Sequence, residues 1–244
     1  MDQSAPGPAA SRELRAQRSA LAEANHILVT QGILDAFGHV SVRSAEDPGT
    51  FLLARNLAPG LVQEDDVQLL TLDGSTDDPR PPYLERHIHG EVYRARPDVQ
   101  AVVHSHSPAV IPFGISGTAL RPVLHMAGFL APEVPVFEVR DTLGTASDLL
   151  VRTPESGAAL ARALGAASVV LMRGHGATAV GASLEEAVYR AVYTEVNARA
   201  QTEALRLGGC TFLTDEEAAA TVASISPQIP RAWGFWRDRV RPPA

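Results

Sequence analysis

His104-Ser105-His106 closes an apolar run that begins at Val99. Residues i and i+2 of a strand point to the same face, so both imidazoles project together while Ser105 points away. Two neutral imidazoles side by side make half of a divalent-metal site. His175 stands between Gly174 and Gly176 after a second apolar run, SVVLMRG (168–174). Small neighbours there let the backbone turn sharply and leave the ring open to a ligand. Three histidines with a free coordination position describe a catalytic rather than a structural metal site. On spacing alone the pair is a weak signal, since two strand histidines are more often solvated or packed in a core.

Glu85 adds a carboxylate. On a helix expected from about Tyr83 to Arg94, Glu85, Ile88, His89 and Val92 fall at i, i+3, i+4 and i+7 and share the apolar face. Burial of that kind raises a carboxyl pKa and suits it to proton transfer near neutral pH. The competing reading is an acid in the first helical turn, favoured by the macrodipole. His87 lies off this face and is expected at the surface, and His26, on the first helix, is read as structural. Cys210 follows two glycines with no histidine partner in sequence, which argues against a nucleophile.

Composition narrows the chemistry. All 21 residues counted as Lys+Arg are arginine, so every mechanism built on a lysine amine is excluded: Schiff-base aldolases, pyridoxal-phosphate enzymes and the Walker-A phosphate lysine. The net charge of −7 and the lack of any basic run argue against nucleic acid or an anionic membrane as partner. A small anionic ligand held by local arginines stays compatible with this balance. One cysteine rules out an internal disulfide framework, and no stretch is long or apolar enough to span a bilayer. No basic region followed by an apolar one opens the chain, and the cytoplasm is the expected compartment.

These residues need elements to position them. Residues 1–10 are rich in Pro, Ala and Gly and read as a disordered leader, ahead of a single domain over 11–244. A helix is expected from Ser11 to near Gly32, then strands at 37–43, 50–55 and 67–74, the last closing on Asp73-Gly74. The segment 99–106 reads as a buried strand because its apolar run lacks alternation. Short strands are expected at VLHM (123–126), VPVFEV (134–139) and DLLV (148–151), then a helix near 154–164 and the second buried strand at 168–174. Ser183 opens a long helix to about Leu207. The tail 212–244 carries Trp233, Phe235 and Trp236, read as packing on a neighbouring subunit, with a lid over the site as the lesser reading.

The runs GHVSVR (38–43), Glu85 with YRARPDVQAVVHSHSPAV (93–110), and LMRGHGATAVG (171–181) resemble the class II aldolase/adducin-head family, in the right order and across nearly all of residues 15–210. The resemblance implies an α/β fold, a three-layer α/β/α sandwich around a mostly antiparallel sheet. It further implies a homotetramer with sites between subunits, and one divalent metal ion per chain. His104, His106 and His175 would be its ligands and Glu85 the acid/base carboxylate. Manganese or zinc is expected first, with magnesium or iron also compatible.

Departures from the family sharpen the function. Its sugar-phosphate aldolases grip phosphate with a Gly-Asn pair, a Thr-Pro-Ser-Gly-like turn and two serines before the glutamate. This chain has Gly38-His39, the segment 54–60 (ARNLAPG), and Tyr83-Leu84 instead. Arginine offers a planar fork suited to carboxylate, so Arg55 is read as binding substrate together with His39, Ser41 and His89, the last also standing behind Glu85; a surface ion pair is the alternative for Arg55. The strings ARNLAPGLV and YLERHIHGEVYRARPDV resemble the branch of metal-dependent decarboxylases acting on hydroxylated aromatic acids or ring-cleavage products. That branch implies decarboxylation through a metal-stabilised enolate or phenolate. The alternatives are a metal-dependent aldolase or epimerase on a non-phosphorylated hydroxy-acid or sugar, an iron-dependent oxygenase, and a non-catalytic adducin-like interaction module.

Overall fold

The unbroken apolar runs around 101–105 and 169–172 reflect strands covered on both faces. In the computed structural model, which describes residues 8–240, they are β4 (Ala101–Ser105) and β6 (Val169–Met172), and every residue of each is buried. The sheet adds β1 (His39–Arg43), β2 (Thr50–Ala54), β3 (Val67–Thr71), β5 (Val136–Phe137) and β7 (Gly176–Gly181). Its order is β3-β2-β1-β4-β7-β6-β5, antiparallel throughout except for the parallel pair β5–β6.

Helices cover both faces. On one lie α1 (Pro8–Thr30) and α6 (Leu184–Arg206), with α8 (Ile229–Val240) against both. On the other lie α2 (Arg86–Ala95), α3 (Ile111–Ile115) and α5 (Pro154–Leu164), with α4 (Arg140–Leu143) beside α5, whereas α7 (Asp215–Ile225) packs on the 3-10 helix at His125–Leu130, which contacts α6. The start of α6 follows from Ser183, whose hydroxyl accepts from the Glu186 amide, while Thr214 and Glu217 form a capping box at α7. Among the described residues no helix is long and apolar enough to cross a membrane.

The architecture is the expected sandwich, with local differences. Of the expected leader, residues 1–7 lie outside the described residues and Pro8–Ala10 open α1. VLHM is no strand: His125–Leu130 forms a 3-10 helix, and of VPVFEV only Val136 and Phe137 pair with a neighbour. Prolines 122, 132 and 135 withhold the amides that a longer ladder would need. DLLV is irregular because Leu149 adopts φ 70°, outside any strand conformation. Trp233 and Trp236 are buried within their own chain, against the expectation of a neighbouring subunit, and only Phe235 of the three stays exposed.

Candidate metal centre

The register of the central strands assembles the site. In β1–β4 pairing His39 sits directly opposite His104, and in β4–β7 pairing His104 faces Thr178. His106 follows one residue past the end of β4. His175 occupies the turn between β6 and β7, which needs its glycines: Gly174 has φ 65°, and a Cβ on Gly176 would come within 2.0 Å of the Ser105 carbonyl. Gly176 thus lets the His175 turn close onto the strand that carries His104.

Glu85, His104, His106 and His175 each offer a ligand atom, and the four atoms lie within 4.8 Å of one another. The Nε2 atoms of His104 and His175 stand 3.2 and 3.0 Å from Nε2 of His106. One Glu85 oxygen, Oε2, lies 3.5 Å from His175 Nε2 and 3.7 Å from His104 Nε2. The other, Oε1, accepts the Val151 amide at 2.8 Å. Glu85 stands at the N-terminal boundary of α2 without capping it, so its carboxylate is free to face the histidines.

The hydrogen bonds behind the rings fit a cation. Nδ1 of His104 lies 3.2 Å from the Ala177 carbonyl and Nδ1 of His175 lies 3.1 Å from the Leu149 carbonyl. A carbonyl only accepts, so each Nδ1 donates and, in a neutral ring, leaves a lone pair on Nε2. Those lone pairs converge on His106 Nε2, which has at most one proton to share between them, with a carboxylate alongside. A divalent ion satisfies such a donor set, three imidazoles and a carboxylate.

Burial, first, holds His104 well below the ordinary imidazole value of 6.5, and burial with the neighbouring His175 lowers His106. For Glu85 the expected rise is reversed. Burial pushes its carboxyl up, but the adjoining His175 and His104 rings, whenever they carry a proton toward Oε2, and the Val151 amide outweigh it and hold it at about 2.

Behind the four residues runs a polar seam between β1 and α2. His39, Ser41 and Arg43 alternate along one face of β1 and meet His89 and Tyr93, one turn apart on α2. His39 Nδ1 and His89 Nε2 are 2.6 Å apart, His89 Nδ1 and Ser41 Oγ 2.6 Å, and Ser41 Oγ and Tyr93 Oη 2.7 Å. The Arg43 guanidinium lies 4.7 Å from the centre of the Tyr93 ring. Ser41 and His89 are fully buried and their polar atoms are engaged here. His39 belongs to the same seam, its ring centre 5.0 Å from that of His104.

Arg55 pairs with Asp66, its Nε 2.7 Å from Oδ1, and its side chain stays 31% exposed. Its segment is also closed by Tyr83, whose hydroxyl donates to the Leu57 carbonyl. His87 is buried, not at the surface, because α5 packs so closely over α2 that a Cβ on Gly157 would lie 2.5 Å from the His87 carbonyl. Sequence reasoning passed over Leu149 and Val151, whose contributions are backbone atoms and leave no residue-type signal. It also passed over Phe37, although that residue directly precedes Gly38-His39.

A two-faced sheet with an imidazole triad and a carboxylate at its centre makes this an α/β protein with a candidate metal site. The chain belongs to the class II aldolase and adducin N-terminal domain family, whose model matches residues 19–202. It is 42% identical to decarboxylase tropJ of Talaromyces stipitatus, over 86% of this chain and 89% of that one. It is 32% identical to the 3,4-dihydroxyphthalate decarboxylase of a Terrabacter species, over 92% and 96%. The solved aldolase II superfamily protein from Pseudomonas syringae superposes with a TM-score of 0.76 over 98% of this chain and 95% of the other, at 23% identity, and so shares the fold. Within its family the chain stands among carboxy-lyases.

Proposed function

We propose that this protein is a metal-dependent decarboxylase of a hydroxylated aromatic dicarboxylate or a related ring-cleavage product. The observation that carries the reading is the convergence of three imidazole nitrogens and the Glu85 carboxylate in a chain 42% and 32% identical to two decarboxylases. His104, His106 and His175 hold the cation, and Glu85 stands beside it. Manganese or zinc suits the donors, and magnesium or iron is compatible. When bound, the cation supplies a Lewis acid for a substrate oxygen, and so a sink for the electron pair that C–C cleavage releases.

The residues account for the protons. With its carboxyl at about 2, Glu85 is ionised throughout the neutral range and enters as a base. It takes the proton of the substrate hydroxyl. The C–C bond then breaks, carbon dioxide leaves without the bonding pair, and Glu85 returns the proton to the carbon that kept the pair. Water protonates the oxygen on release. Arg55, whose side chain is 31% exposed, is the cation proposed for a second substrate carboxylate. The polar seam through His39, His89 and Ser41 keeps the His104 side of the site in place.

The family resemblance supports a homotetramer with sites between subunits, and the single cysteine fits a cytoplasmic setting; sedimentation tests the first. For the reaction, metal-loaded protein is assayed for carbon dioxide and for aldehyde over a panel of hydroxy-carboxylates headed by 3,4-dihydroxyphthalate. Carbon dioxide without aldehyde is expected, and aldehyde release would replace this reading with an aldolase. Glu85→Gln keeps the side-chain volume and removes the base, so turnover falls on the order of 100-fold or more while the metal content stays at one ion per chain. Undiminished turnover removes Glu85 from the mechanism.

A further inference from the structure

Phe37 is unusual for a large apolar residue: it is 67% exposed, and its ring centre lies 6.4 Å from that of His106. Its position is built rather than loose. The Phe37 amide donates to Asp35 Oδ1 at 2.8 Å, a local turn that fixes the backbone. Gly38 follows at φ 83°, where a Cβ would meet Leu34 Cδ2 at 2.5 Å and the His104 carbonyl at 2.9 Å. That tight left-handed residue lets the chain turn directly into β1. His39 is then buried against His104 while the preceding Phe37 stays in the open beside His106.

Other exposed apolar side chains adjoin site residues. Leu84, 57% exposed, precedes Glu85 in the chain. Ile115, 61% exposed, has its Cγ2 4.0 Å from where a Gly174 Cβ would stand, next to His175. Water-exposed apolar groups beside a polar, convergent site are what a binding pocket for a largely apolar molecule requires. The aromatic ring among them favours a planar partner, since aromatic pairs prefer offset or tilted contact with centres about 4.5–7 Å apart.

We propose that Phe37 is a specificity-determining residue, laying its ring against the ring of a hydroxy-aromatic carboxylate held at the His104–His106–His175 site and so selecting it over an aliphatic hydroxy-acid. The assignment deepens the decarboxylase reading above and rests on it for the choice of site. Phe37 contributes contact area and ring geometry, and takes no part in proton transfer.

Binding tests it apart from turnover. Metal-loaded wild type, Phe37→Ala and Phe37→Tyr are titrated calorimetrically with 3,4-dihydroxybenzoate and, separately, with L-malate. Phe37→Ala is expected to weaken dihydroxybenzoate about tenfold and to leave malate within about a factor of two, in line with the worth of an aromatic pair. Phe37→Tyr restores binding. Equal weakening of both ligands, no weakening of either, failure of wild type to bind dihydroxybenzoate, or a changed sedimentation coefficient for Phe37→Ala overturns the assignment. A wild type that binds dihydroxybenzoate through Phe37 yet releases no carbon dioxide from 3,4-dihydroxyphthalate sinks the reaction and leaves the assignment standing.

Discussion

The Val151 amide donates to Glu85 Oε1 at 2.8 Å, and this bond turns the other carboxylate oxygen toward the histidines. Two residues earlier the Leu149 carbonyl takes the Nδ1 proton of His175 at 3.1 Å. A three-residue stretch of irregular chain therefore orients the carboxylate and one imidazole at once. It does so from a strained conformation, with Leu149 at φ 70°, which costs on the order of 1–3 kcal/mol in a residue other than glycine. The surrounding contacts hold it there.

That stretch is open to test by backbone substitution. Leu149→Gly tolerates the positive φ and is expected to keep metal affinity, with relief of strain offset by the lost packing of the side chain on the core and by the freer unfolded chain, so stability falls by about 1 kcal/mol. Leu149→Pro forces φ near −65°, withdraws the His175 acceptor and weakens metal binding about 10- to 100-fold, the usual worth of a partner behind a ligand. Metal titration of both variants, with circular dichroism as a check on the sheet, decides the matter. Equal affinity in the two would show that Leu149 does not orient His175.

Acid should destabilise the metal-free protein in a defined window. Burial first lowers the pKa of His39, His89 and His104 below 6.5, for His89 to about 3. Below pH 6.5 the unfolded chain therefore binds protons that the folded one refuses, so stability falls as pH falls from 6.5 toward 3 and levels off above 6.5. Each such histidine adds up to ~1.4 kcal/mol per pH unit. Denaturant midpoints between pH 8 and pH 5 measure it, and a flat profile refutes it.

The seam behind the site predicts a stability cost without chemistry. Ser41→Ala leaves His89 Nδ1 and the Tyr93 hydroxyl without the partner they share, at about 1–3 kcal/mol for stranded buried polar groups. Val at the same position leaves them equally stranded. Thermal unfolding should show the loss, while kcat per bound metal changes less than severalfold; a collapse of kcat with stability intact would move Ser41 to the reacting atoms.

Much of the site was legible from residue types. His104 and His106 announce themselves by alternation at the end of an apolar run, and His175 by its flanking glycines. Even so, the residues alone left that pair open to a bland reading, and the family resemblance decided it. Glu85 was found for its place on an apolar face, yet the direction of its pKa was misread. Sequence periodicity reports burial, whereas the shift depends on the rings and the amide that gather around the oxygens. His87 was misplaced for a related reason: the covering helix α5 lies far along the chain, and no local pattern shows it. Trp233 and Trp236 looked like interface residues because aromatic content does not say which helix will cover it.

The register that sets His39 opposite His104, and His104 opposite Thr178, also bears on when the site can exist during folding. His106 and His175 are 69 positions apart, and their nitrogens meet only after β4 has paired with β7. Closing a loop of that length costs chain entropy before any ligand bond repays it. Until then the chain can offer only the neighbouring imidazoles of His104 and His106, a poor grip. An ion held there, as proposed above, would be a late arrival that locks a finished sheet, and its retention would measure whether the central strands have found their alignment.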